Sequence, residues 1–381
     1  MKIICSALSR INTKNRDGSE TRFYEFIQYL YSKGIEVELI SIARQFEIYK
    51  DLKFKKKYYV FDFIKSESDH LLNVLLTYFT RIISIFFKKI DTDANIFISP
   101  SDFILDILPA IILKLKKKNI SIIVWLFLVK KGFKNDLNII TFRSFIYFLG
   151  QKFNIFLFRL FNLKIFVLNE NDRKHLISKG VTNVHVVNMG FNQKKIQSNN
   201  SKKIYDAIYV GRFHIQKGFF DLIEISKKVI KFKKDFCLLV IGGGPEHLQK
   251  EFDYLIKIND LSNNIKVLGF RYGEEKNNYI KNSKFFLCTS RNESWGATVI
   301  ESLSLNTPVI AYDIDVFKSI FKDNLIYVNS FDVDKFAITV KNLLLNNSNF
   351  TINKKFVDSF DYSIIFNHDL SIIKKINDVP K

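Results

Sequence analysis

The stretch Arg291-Asn-Glu-Ser-Trp-Gly-Ala-Thr-Val-Ile-Glu301 sets two glutamates eight positions apart around a Ser-Trp-Gly turn. An apolar, strand-like segment, Phe285-Phe-Leu-Cys288, precedes it, and a helix-like run over 297–305 follows. A strand that ends in a tight turn and opens a helix is the repeating unit of a parallel sheet with crossover helices. The first amides of such a helix lack intrahelical acceptors, so they suit an anion such as a diphosphate. A carboxylate beside that anion cannot bind it, but it can accept hydrogen bonds from hydroxyls nearby. Glu293 before the helix and Glu301 within it read as two hydroxyl acceptors flanking a phosphate cradle, which describes a nucleotide-sugar site.

The same alternation runs outward in both directions. Strands are predicted over 2–7, 35–42, 58–63, 96–99, 120–126 and 164–168, with helical stretches such as 19–33 between them. Composition turns polar over 193–201, Gln-Lys-Lys-Ile-Gln-Ser-Asn-Asn-Ser, which reads as a linker. The alternation then restarts, with strands over 204–210, 236–241, 265–268, 285–288 and 308–312 and helices over 218–231, 246–258 and 274–282. The expected architecture is α/β: two Rossmann-like, doubly wound domains facing a cleft, since such sheets bind ligands at the carboxyl ends of their strands. Residues 1–192 form the first domain, 193–360 the second, and 361–381 a C-terminal helix that can cross back onto the first.

A chain of 381 residues suits two such domains, and an apolar fraction of 47% lets each bury a core. The formal charge is +20, and residues 1–190 hold 30 basic against 17 acidic side chains. A surface of that sign attracts polyanions: phosphorylated substrates, anionic lipid or nucleic acid. The runs Lys53-Phe-Lys-Lys-Lys57 and Lys114-Leu-Lys-Lys-Lys118 carry much of it, and each taken alone reads as a solvated loop or helix end. Cys5, Cys237 and Cys288 lie in apolar runs without metal-ligand spacing, as expected of reduced, buried thiols in the cytosol. No secretory signal is read, because Arg10 arrives before any long apolar stretch. The apolar segments 71–87 and 144–168 are interrupted by Arg81 and by Lys152, Arg159 and Lys164, short of the roughly 20 clean residues a spanning helix needs. Burial is expected for most of each, with their basic, aromatic faces open to a membrane interface.

Two further loops follow strands of the second domain. Val210-Gly211-Arg212 closes one strand and Gln216-Lys217-Gly218 opens the next helix. Arg212 offers a planar fork to phosphate oxygens and Lys217 a mobile point charge; alone, they would be surface cations of a loop. Gly242-Gly243-Gly244-Pro245-Glu246 follows a second strand, either as a phosphate loop or as close strand–helix packing. His214 and His175 read as an exposed loop residue and a helix-surface residue. Asp91-Thr-Asp93 and Asp313-Ile-Asp315 imitate a metal-binding pair outside any typical metal context, and no metal site is assigned.

Taken in order, Val210-Gly-Arg with Lys217-Gly, Gly242-Gly-Gly-Pro-Glu, and Glu293-Ser-Trp-Gly-Ala-Thr-Val-Ile-Glu-Ser-Leu-Ser-Leu-Asn-Thr-Pro-Val-Ile-Ala311 resemble the donor domain of retaining GT-B glycosyltransferases of the family 4 type, the glycosyl transferases group 1. The likeness is specific over about 204–315, weaker over 160–192 and faint over 1–150. It implies that Arg212 and Lys217 bind the donor diphosphate and stabilise the leaving nucleotide. Glu293 would contact hydroxyls of the transferred sugar, and Glu301 would hold the ribose. Ser294, Trp295, Gly296 and Ala297 would offer backbone amides, with Thr298, Gly211 and Gly243 alongside, and Gly18 of Arg16-Asp-Gly-Ser19 would approach the phosphates. The resemblance implies no metal and no cofactor beyond the nucleotide-diphosphate sugar, because cations and helix amides stabilise the departing charge. The sequence departs from the family pattern in Trp125-Leu-Phe, where a histidine is common, in the single Gly18, in Asn306 and in Trp295.

The expected activity is retaining transfer of a hexose from a nucleotide-diphosphate sugar to a glycan, lipid-linked or polysaccharide acceptor. The expected place is the cytosol, or the periphery of a membrane's inner face. The alternative is a basic membrane- or nucleic-acid-binding protein on a degenerate GT-B scaffold; nucleic acid is disfavoured because no recognisable module for it is present. An epimerase or a phosphorylase of the same fold is disfavoured by the paired glutamates and the Gly-Arg…Lys-Gly layout.

Overall fold

A computed structural model of the chain describes residues 1–9, 18–62, 71–116, 119–130, 132, 142–196, 202–345 and 350–378. It divides into two compact units, Met1–Met189 with Tyr362–Lys381, and Gly190–Asp361. The division falls three residues before the boundary read from the sequence; part of the polar 193–201 segment forms a 3-10 turn, Gln193–Lys195, and 197–201 lie outside the described residues.

In the first unit the chain runs β1 (Ile3–Ala7), α1 (Gly18–Ser32), β2 (Val37–Ser41), α2 (Ala43–Ile48), β3 (Lys57–Tyr59), α3 (Leu71–Phe87), β4 (Ile96–Ser99), α4 (Ile104–Lys116), β5 (Ser121–Leu126), α5 (Phe142–Leu160), β6 (Lys164–Val167), α6 (Glu170–Ser178) and β7 (Val184–Val186). The strands pair in parallel in the order β3-β2-β1-β4-β5-β6-β7. Every residue of β1, β2, β4 and β5 is buried, as for strands covered by helices on both faces. Ile85 of α3, Leu105 of α4, Leu157 of α5 and Leu176 of α6 join Phe97 and Val124 in one core.

The outer sides of α3 and α5 differ in part from the sequence reading. Instead of being mostly covered, each turns an apolar stripe to solvent, including Phe79 at 61% and Phe153 at 53% exposure. Open aromatic faces agree with the sequence reading; burial of most of each helix does not, because an apolar period marks a buried face without showing how far solvent reaches round the helix.

The final helix, the last of the chain, spans Tyr362–Asp378 and belongs to this unit. It lies on α1, with the rings of Phe26 and Phe366 5.2 Å apart. Arg22 of α1 and Asp369 of the final helix form an ion pair with both side chains fully buried. The Arg22 guanidinium also sits 4.4 Å from the centre of the Trp125 ring, and its Nε donates to the Asn188 carbonyl at 2.9 Å. Trp125, where the family resemblance leads one to look for a polar group, is thus a core residue at 1% exposure.

The second unit runs β8 (Tyr205–Val210), α7 (Asp221–Val229), β9 (Leu238–Ile241), α8 (Glu246–Ile258), β10 (Ile265–Gly269), α9 (Gly273–Lys281), β11 (Ser283–Cys288), α10 (Ala297–Ser304), β12 (Val309–Tyr312), α11 (Asp315–Phe321), β13 (Ile326–Val328), α12 (Val333–Leu345) and α13 (Lys354–Asp358); the final helix is therefore α14. Its strands are parallel in the order β10-β9-β8-β11-β12-β13. The chain leaves β8 toward one edge and β11 toward the other. Their neighbouring carboxyl ends form a topological switch point, where diverging loops leave a crevice. β1 and β4 are the corresponding pair in the first sheet. Of the three free cysteines, Cys5 and Cys288 are buried, whereas Cys237 is only half-buried.

Candidate functional site

The loops after β8 and β11 are joined by their backbones before any side chain acts. The Arg291 amide donates to the Gln216 carbonyl at 2.7 Å, and Thr289 Oγ1 donates to the Lys217 carbonyl at 3.1 Å. Gly218 makes this approach possible. Its φ of 60° is left-handed, and a Cβ there would lie 2.0 Å from the Thr289 carbonyl oxygen. The preceding turn, Ile215–Lys217, is capped by His214, whose Nδ1 accepts from the Gln216 amide at 3.3 Å.

The side chains then meet. Lys217 Nζ lies 2.5 Å from Glu293 Oε1, which also accepts from Ser290 Oγ at 2.9 Å. Both charged groups are partly buried, at 24% and 12% side-chain exposure, so water screens the pair less than it would a surface pair. Arg212 is exposed at the start of the β8 loop. Tyr209 lies under that loop: a Cβ on Gly211 would be 2.6 Å from its hydroxyl, which donates to the Arg212 carbonyl at 3.4 Å. Burial pushes the Tyr209 phenol well above its usual range; the Cys288 thiol and the Glu293 carboxylate push it further, and the Arg212 guanidinium opposes them. One phenol therefore senses both Glu293 and Arg212. Burial, with help from the Glu293 carboxylate, also pushes the Cys288 thiol up to about 12, which keeps it protonated.

The glycine loop after β9 packs on the same place. The Gly211 amide donates to the Ile241 carbonyl at 3.0 Å and the Phe213 amide to the Gly243 carbonyl at 2.8 Å. Gly242, at φ 138°, leaves room for the Gly211 carbonyl oxygen, 1.8 Å from where its Cβ would stand. At Gly243 and Gly244 that space holds the Phe270 ring and the Phe213 carbonyl. These contacts pack the glycine run against the β8 loop.

On α10 the Glu301 carboxylate pairs with Lys276 Nζ of α9 at 2.7 Å. Ser294, Ala297 and Thr298 are half-buried at the entry to α10. The Trp295 indole is 1% exposed, wedged between Phe321 and Phe360 at 5.5 and 5.4 Å, so its backbone alone can face a ligand. Gly18 opens α1 in the first unit, beside the Met189 methyl; Arg16 and Asp17 lie outside the described residues. A pocket of about 110 Å³ with a mixed lining lies at the β1/β4 switch point, bordered by Ser9, Ser19, Phe23, Gln45, Phe103 and Asp106.

The aspartate pairs set aside in the sequence have ordinary partners. Asp93 pairs with Lys2, and Asp313 pairs with Lys318 and accepts from Ser330. Among the described residues no group of three or more metal-ligating side chains is gathered.

Several residues at the site gave no signal in the sequence. Tyr209 looked like one more strand residue, and Lys276 one more helical lysine. Arg291 turns away to Asp221 at 2.8 Å, and Tyr312 donates to the same carboxylate at 2.8 Å, fixing the base of the β11 loop. Phe270 and Tyr272, exposed and stacked 6.3 Å apart, stand beside the glycine loop.

Residues 191–356 match the family model described as glycosyl transferases group 1. The matched residues lie within the second unit. An uncharacterized glycosyltransferase of Methanocaldococcus jannaschii is 35% identical over 120 residues, 32% of this chain and 29% of that protein. The alpha-monoglucosyldiacylglycerol synthase of Acholeplasma laidlawii is 32% identical over 117 residues, 31% of this chain and 29% of that protein. The matched stretch thus spans under a third of either relative. Likeness of fold extends over the whole chain. The sucrose-phosphate synthase of Thermosynechococcus elongatus superposes with a TM-score of 0.73, at 12% identity and covering 99% of each chain. HepE of Anabaena, solved in complex with UDP and glucose, gives 0.71 at 13% identity, covering 98% of this chain and 100% of that one. The fold of the chain is GT-B.

Proposed function

We propose that the protein is a retaining glycosyltransferase that moves a hexose from a nucleotide-diphosphate sugar to a hydroxyl of a glycan, lipid-linked or polysaccharide acceptor. The observation that carries this reading is the Lys217–Glu293 pair at the β8/β11 switch point, a cation and a carboxylate set side by side beneath the start of α10. HepE, bound to UDP and glucose, shares the fold, and the group 1 domain covers the residues in question.

In this reading the bond between the sugar's anomeric carbon and the diphosphate oxygen breaks as the acceptor hydroxyl attacks the same face and passes its proton to the departing phosphate oxygen. Negative charge grows on the departing diphosphate. Arg212, Lys217 and the first amides of α10, at Ser294 to Thr298, stabilise that charge in place, which is where preorganised electrostatics acts most strongly. Two fixed cations supply what a divalent ion would, so the reaction runs without metal. Glu293 keeps one oxygen on Lys217 and turns the other to the sugar hydroxyls. Glu301 exchanges Lys276 for the ribose hydroxyls, and the Phe270–Tyr272 rings give the base a stacking surface.

The test is a panel of nucleotide sugars, read by calorimetry and by slow hydrolysis of the donor. One donor should bind in the micromolar to millimolar range, roughly 1 μM to 1 mM. Glu301→Ala should weaken it about tenfold and abolish the preference for ribose over 2′-deoxyribose. Failure of every nucleotide sugar to bind or be hydrolysed would remove the reading.

A further inference from the structure

The outward faces of α3 and α5 take no part in that chemistry. On α3, Leu75, Phe79, Ile83 and Phe86 follow one another along one side of the helix and are 56, 61, 41 and 57% exposed. On α5, Leu149, Phe153 and Phe156 do the same at 47, 53 and 54%. The opposite sides enter a single core through Ile85, Leu157 and Phe158. The two helices flank the start of α4. Gln151 of α5 donates to Asp102 Oδ2 at 2.9 Å, and the Tyr147 ring lies 5.9 Å from Phe103. α3 packs along α4 on the other side. The stripes therefore lie on two helices that both neighbour α4, as apolar rows rather than isolated surface residues.

Within the two helices the charge has one sign. Neither α3 nor α5 contains an aspartate or glutamate. Lys89 follows α3, and Lys152 and Arg159 lie on α5, all three exposed. Arg81 adds nothing to this surface, being buried and paired with Asp62 at 2.9 Å. Asp102 and Asp106, between the helices, are buried. No helix among the described residues is long and apolar enough to cross a membrane. We propose that α3 and α5 form a docking face for an anionic lipid surface, with the rings entering the interfacial layer and Lys89, Lys152 and Arg159 meeting the headgroups. A second copy of the chain fits the patch less well. A two-fold contact through it would set the cations of these helices against one another, with no carboxylate on either helix to answer them. The inference does not depend on the sugar-transfer reading, because none of these residues belongs to the second unit.

Flotation of the full chain with vesicles tests it. Equal parts of phosphatidylglycerol and phosphatidylcholine are compared with phosphatidylcholine alone. The protein should float with the anionic vesicles at low salt and less as salt rises. Phe79→Ser with Phe153→Ser, and separately Lys89→Glu with Lys152→Glu, should each lower the floated fraction about tenfold. Nucleotide binding should be unaltered in both. Should the phenylalanine pair unfold the protein, the lysine pair, exposed in the folded chain, still decides. Absence of flotation with anionic vesicles at low salt, or equal flotation of the folded variants, overturns the proposal. So does a dimer in gel filtration that the phenylalanine substitutions disperse while flotation persists.

Discussion

Lys217 and Glu293 stand 76 positions apart in the chain, yet their side chains close to 2.5 Å. The contact follows from the parallel order that places β8 beside β11 and from the backbone bonds that join their loops. Lys217→Ala should lower transfer and donor hydrolysis by about 10²–10³-fold, the range for removing one fixed stabiliser of a developing anion. Lys217→Arg should recover part of this, since the guanidinium keeps the charge but not the shape. Single-turnover donor cleavage, with circular dichroism as the folding control, checks both.

Gly218 is the covalent hinge of that contact. Gly218→Ala forces a left-handed side chain against the Thr289 carbonyl, 2.0 Å from the new Cβ. The strain should cost about 1–3 kcal/mol in urea unfolding and should separate Lys217 from Glu293. The variant should therefore lose as much activity as Lys217→Ala while also unfolding earlier. Activity close to that of the parent would show that the loops adjust independently.

The buried Arg22–Asp369 pair fastens α14 to α1. Asp369→Ala strands a guanidinium in the core and should cost roughly 3–5 kcal/mol. Arg22→Met with Asp369→Leu removes both charges and should regain most of that loss. A double variant no more stable than Asp369→Ala would mean that the charges position the helix in a way apolar contact cannot.

Asp102 makes folding sensitive to acid in the less common direction. Burial raises its carboxyl to about 6, against the opposing hydrogen bond from Gln151. The folded chain therefore holds this proton more tightly than the unfolded chain. Its contribution to stability declines as pH rises from the ordinary carboxyl range, about 4, to about 6, and the cost of the buried charge is complete above that. Asp102→Asn should flatten this decline and stabilise the protein at neutral pH by about 1–3 kcal/mol. Denaturant midpoints measured from pH 4 to 8 give the comparison.

Much of the second unit was legible residue by residue. The predicted helix over 246–258 is α8, and the strand, turn and helix of the opening motif became β11 and α10 in register with the two glutamates. The three-residue edge strands β7 and β13 were not predicted, because so short a run carries too little alternation to register. At α3 and α5 the apolar period identified helices, but it could not say that solvent lay against half of each.

The sequence by itself determined the alternation of strand and helix, the residues placed at the strand ends and the surplus of positive charge. These are local properties, set by side-chain period and composition. The tertiary structure decided which strand ends are neighbours. It thereby chose Glu293 for Lys217, Lys276 for Glu301 and Tyr209 as the phenol beneath them. Pairing across 76 positions depends on sheet order, and sheet order is fixed by the burial of whole helices against the sheet, which no single stretch of residues encodes.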